Sequence, residues 1–128
     1  MTYYFAKTLS ASFDDVVDRV TATLKEEGFG VLTTIDVQAT LKEKIGVDFP
    51  RYRILGACNP TMAHQALQAE NKIGTMLPCN VIVRDAGDGQ VEVAAVDPVS
   101  SMQAVENPAL GQVATSVQQK LKNVIESL

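Results

Sequence analysis

The chain has 128 residues, 46% of them hydrophobic and 20% charged, and a net charge of -4 at pH 7. That length and mixture suit one domain over residues 1–128, large enough to bury roughly two-thirds of its unfolded surface. No window reaches the ~20 apolar residues of a membrane helix, MTYYFAKTLS carries no secretory pattern, and the scattered basic residues build no phosphate-binding face, so neither membrane nor nucleic acid is expected as a partner. The expected compartment is cytoplasmic, where two cysteines are expected as free thiols.

Tyr3 to Leu9 alternates, with Tyr3, Phe5 and Leu9 apolar, and predicts a first strand. Ser12 opens a helix, Asp15 at its third position imitates a capping box, and Phe13, Val16, Val17, Val20 and Leu24 form a stripe that Gly28 ends. Phe29 to Ile35 reads as a second strand. Asp36 caps a short helix with Val37, Leu41 and Ile45 on one face, stopped by Gly46. Beyond Pro50, YRILGAC (Tyr52 to Cys58) is a third strand in which Gly56 allows a close backbone approach. Asn59 caps the next helix, with Pro60 at its first position. That helix is expected to reach about Lys72, with Gly74 left-handed beyond its end. Cys79 to Arg84 and Gln90 to Val96 are the fourth and fifth strands, joined as a hairpin by DAGDG. Asn107-Pro108 repeats the Asn59-Pro60 device and opens the amphipathic C-terminal helix over 108–128. Its seam is Leu110, Ala114, Val117, Leu121, Val124 and Leu128, widened by Val113 and Ile125.

The order β-α-β-α-β-α-β-β-α predicts an α+β domain with a five-stranded mixed sheet and helices mainly on one face. Tyr4, Thr8, Thr34 and Arg53 are expected to wet part of the opposite face, leaving the rest for a partner subunit.

The chemistry-bearing residues gather in LGACNPTMAHQALQAENKIGTMLPCN, where each cysteine precedes an asparagine. Cys58 stands just before a helix cap, and a positive helix end there lowers a thiol pKa. It reads more readily as a small residue filling a strand end, where burial acts the other way. Cys79 gains no helix end and reads mainly as a core residue. A parallel crossover would separate the two thiols, whereas antiparallel strands would bring them within the ~7 Å between Cα atoms that a bridge needs. Spacing leaves both open. His64 reads as a surface residue flanking Ala63, Ala66 and Leu67, and Cys58, His64 and Cys79 make only an incomplete soft-metal or haem set. Asn59 and Asn80 are a cap and a strand residue whose amides suit a polar ligand, and free N–H groups at Pro60-Thr61-Met62 suit an anion. No nucleophile elbow, P-loop or dinucleotide fingerprint is present, and no pair of carboxylates is spaced to suggest acid-base work.

The helix DVQATLKEK, the turn LGACNP and the strand start LPCNV lie within a run from Gly28 to Pro98 that resembles the domain-of-unknown-function 302 family. The resemblance implies a small α+β protein of the bacterial and archaeal kind, typically a homodimer. It also implies that Cys58, Asn59, Pro60, Pro78, Cys79 and Asn80 belong to the family pattern. It brings no catalytic residue, no cofactor and no activity. Three readings stand at this point. One is a dimeric module holding a small ligand or ion at Cys58, Asn59, Cys79 and Asn80. Another is a redox or sulfur-handling enzyme or sensor, with Cys58 attacking and Cys79 resolving. The last is a structural or interaction protein with inert thiols.

Overall fold

In the computed structural model, which describes residues 2–128, the strands are β1 (Tyr4–Ser10), β2 (Gly30–Asp36), β3 (Tyr52–Cys58), β4 (Cys79–Gly87) and β5 (Gln90–Val96). The helices are α1 (Phe13–Glu26), α2 (Val37–Ile45), α3 (Pro60–Ala69), α4 (Pro98–Ser101) and α5 (Pro108–Ser127). Side chains cap the long helices as their sequences require. Ser12 accepts from the Asp15 amide, Asp36 from Ala39, Asn59 from Met62 and Asn107 from Ala109, at 2.9–3.2 Å. Gly28 and Gly46 leave their helices at φ of 86° and 68°, in the left-handed region.

The sheet runs β1-β5-β4-β3-β2, and every neighbouring pair is antiparallel. The expected mixed sheet is therefore corrected to a wholly antiparallel one. The physical reason lies between β3 and β4. Helix α3 ends at Ala69, earlier than expected, and a 3-10 turn over Ile73–Met76 follows. The chain is thus reversed before it can travel the length of the sheet, and it re-enters beside the end it left. Gly74 sits inside that turn without a positive φ, so its expected left-handed role is also overturned.

One face of the sheet carries the helices. Val16, Val20 and Leu24 of α1, with Leu121 and Val124 of α5, bury completely against Val81, Val83 and Val93 of the central strands. Because β1 and β2 are opposite edges, α1 has to cross the whole face between them. Lys7, between Phe5 and Leu9 on the inward side of β1, donates to the Leu128 and Glu126 carbonyls, where a cation suits the negative helix end. A smaller cluster, Ala66, Ile73 and Leu110, joins α3 to α5. Arg53 differs from expectation: it lies on the helix side, its guanidinium 5.6 Å above the Phe13 ring, beside Arg51 at 4.2 Å. Thr34 pairs with buried Leu55 and is on that side too. Arg51 also pairs with Asp14 at 2.7 Å, and that hydrogen bond and charge hold the Asp14 carboxyl below its ordinary range.

Candidate functional site

Strand β3 ends on Cys58 and β4 begins on Cys79, and Ala57 is the register partner of Cys79. Antiparallel pairing thus brings both thiols to one end of the sheet, on adjacent strands. Both are free. Two glycines make this approach possible. A Cβ on Gly56 would collide with Thr33 Oγ1 and lie 2.7 Å from Pro78 Cγ, so only glycine lets the Pro78 ring cross β3 just before Cys79. A Cβ on Gly28 would sit 3.0 Å from Asn59 Nδ2. The Asn59 amide is held between that glycine and the Met62 N–H it caps.

Beneath this corner lies a crevice of about 40 Å³. Cys58, Asn59 and Cys79 form its sheet end, Met62, Ala63 and Ala66 of α3 one wall, and Ala114 and Val117 of α5 another. Met102, in the segment after α4, closes it from a third side. The walls are carbon and sulfur, with the Asn59 amide as the main polar group. Cys79 is 8% exposed. Burial first, and then the neighbouring Cys58, push its thiol from 9.0 up to about 11, which keeps it protonated at neutral pH.

The structure separates the remaining sequence candidates from this corner. Asn80 alternates with Cys79 along β4, pairs with Gly56 and is exposed on the other face of the sheet. His64 is exposed on α3 and does not line the crevice. Among the described residues, no three or more of the His, Cys, Asp and Glu side chains gather as metal ligands. Sequence reasoning missed Ala114 of α5 and Met102 as lining residues. The available signal was the matching set of small residues, Ala63 and Ala66 on one helix and Ala114 on another, since two facing helices that lack long side chains leave space between them.

A family profile described as Domain of unknown function DUF302 matches residues 5–128. The chain is also similar to the crystal structure of an uncharacterised conserved DUF302 protein from Bacillus stearothermophilus. Identity is 28%, the TM-score is 0.90, and the match covers 98% of each chain. The comparison with curated proteins gave no match.

Proposed function

The chain belongs to the DUF302 family, whose description carries no activity, and we propose from the geometry that it is a binding module for a small, largely apolar ligand seated at Cys58, Asn59 and Cys79. One observation carries the reading: both thiols and the Asn59 amide converge on a single apolar crevice. Its volume of about 40 Å³ selects the ligand class. Drug-sized ligands occupy sites of ~300–1,000 Å³, and a water needs ~10–15 Å³, so this space suits a molecule or side group of only a few heavy atoms. An ion entering it would lose its hydration to carbon walls, which favours a neutral guest. The thiols act here as soft, polarizable wall, because a protonated Cys79 is a poor nucleophile. The module is read as cytoplasmic, supported by its two free cysteines. No helix of the described residues is long and apolar enough to cross a membrane.

Xenon is a suitable probe, being neutral, polarizable and small. With the methionine methyls carbon-13 labelled, xenon pressure is expected to shift the Met62 and Met102 signals saturably, and Ala63→Leu, which fills the crevice, is expected to abolish the shift. Unmoved methyl signals in the wild-type protein, or shifts that persist in Ala63→Leu, would remove the crevice as the binding site.

A further inference from the structure

The helix-free face of the sheet is apolar along one row, where Ile35, Ile54, Ile82 and Ala94 pair in register across four strands. Two positions along β4 from Ile82, Asn80 brings a carboxamide to the same face. There it borders a second cavity, an open basin of about 290 Å³ at the same sheet end as the thiol crevice. Leu77, Pro78, Cys79 and Met102 line both spaces, so a single layer of side chains divides them. Pro78 is a rigid ring and Cys79 a buried strand residue, whereas Met102 is half-buried and unbranched, with rotatable bonds that let it swing aside. The two spaces differ in chemistry. Carbon and sulfur wall the crevice, while Thr75, Asn80 and Ser101 bring hydroxyls and an amide to the basin. Among the described residues, no charged side chain lines the basin.

We propose that crevice and basin together form one amphipathic site, which takes a short alkyl chain ending in an uncharged carboxamide. The inference rests on the reading of the crevice as an apolar pocket, and it supplies the rest of the ligand. At ~10–15 Å³ for each water-sized group, the crevice of about 40 Å³ holds roughly three carbons, which fixes the tail. With the basin added, the space enters the ~300–1,000 Å³ range of small-molecule sites. The head follows from where the hydroxyl protons of the basin already go. Thr75 Oγ1 donates to the Lys72 carbonyl at 2.9 Å, and Ser101 Oγ to the Pro98 carbonyl at 3.3 Å. Both hydroxyl oxygens are thus left as acceptors, and the exposed Asn80 carboxamide adds N–H donors and a carbonyl. A carboxamide head matches that set. It exchanges paired N–H to O=C bonds with Asn80 and gives its second N–H to a hydroxyl oxygen. A carboxylate would meet the Asn80 N–H groups and no cation, and an ammonium would meet acceptors but no counter-charge.

Butyramide, a propyl chain on a carboxamide, is the probe, with butyrate and butylamine as its charged counterparts. The full chain carries carbon-13 on its methionine methyls. Met76 then reports on the basin, Met102 on the divide and Met62 on the crevice. Butyramide is expected to shift all three signals saturably, and to bind about tenfold more tightly than either charged analogue. Asn80→Leu changes an exposed strand position, so the fold is expected to hold. It should weaken butyramide about fivefold, the worth of a neutral hydrogen bond, and leave the xenon response of Met62 unchanged. Xenon and butyramide separate the two readings. The amphipathic site alone is overturned if xenon enters but butyramide does not saturate, or if Asn80→Leu binds butyramide as the wild type does. It is equally overturned if Met76 shifts while Met62 stays still, or if a charged analogue binds as tightly. A crevice closed to xenon removes both readings.

Discussion

At the scale of single residues, the two Cys-Asn pairs resolve into four different jobs. Cys58 and Asn59 close a strand and cap the next helix, Cys79 enters the core, and Asn80 turns to the opposite face. The buried Cys79 has a measurable consequence. A thiol raised to about 11 in the folded chain, against 9.0 unfolded, contributes fully below pH 9, and that contribution is lost as pH rises through 11. Two pKa units correspond to roughly 2–3 kcal/mol. Urea midpoints followed from pH 8 to pH 11 should therefore fall more steeply for the wild-type protein than for Cys79→Ala. Parallel curves for the two proteins would show that the thiol is solvated.

At the scale of elements, glycines separate sequence habit from structural need. Gly28 ends α1 at φ 86° and has the Asn59 amide 3.0 Å from where a Cβ would stand. Gly28→Ala is thus expected to cost about 1–2 kcal/mol, the penalty of a left-handed alanine plus that contact. Gly74 lacks the left-handed conformation its sequence position suggests, and a Cβ there meets only Leu67 Cδ2 at 3.9 Å. Gly74→Ala should leave stability unchanged or raise it by up to ~1 kcal/mol. Chemical denaturation of the pair checks both, and equal losses would contradict the assignment. Helix α2 shows the other side of local reading. Its Asp36 cap and Gly46 stop are as the sequence demands, yet none of its residues is fully buried and Ile45 is 67% exposed. An apolar stripe predicts the helix, while a covering element has to come from elsewhere.

For the whole molecule, the seam of α5 is where an aspartate is least tolerable. Leu121 is fully buried between α5, α1 and the sheet. A carboxylate there has no partner, and Leu121→Asp is expected to remove ~4 kcal/mol or more, a large share of the ~5–15 kcal/mol of a typical domain. Its thermal unfolding should lose the cooperative transition. A normal melting curve would place the seam on the surface.

The sequence by itself determined what is settled within a few residues. Caps at Ser12, Asp36, Asn59 and Asn107, the glycine stops, the β4–β5 hairpin and the α5 seam all depend on hydrogen bonds and periodicities that span about one helical turn or one tight turn. The family was legible in the same local runs. Tertiary structure alone decided the direction of β4 beside β3, and with it whether Cys58 and Cys79 meet. Strand direction depends on how far α3 and the turn after it carry the chain before it pairs, a sum over about twenty residues that no local pattern encodes. The crevice and the apolar row are of the same kind. Each is assembled from residues distant in sequence, so the crevice exists only once helix packing has brought Ala63 and Ala114 to its lining, and the row only once strand register has set Ile35, Ile54 and Ile82 in line.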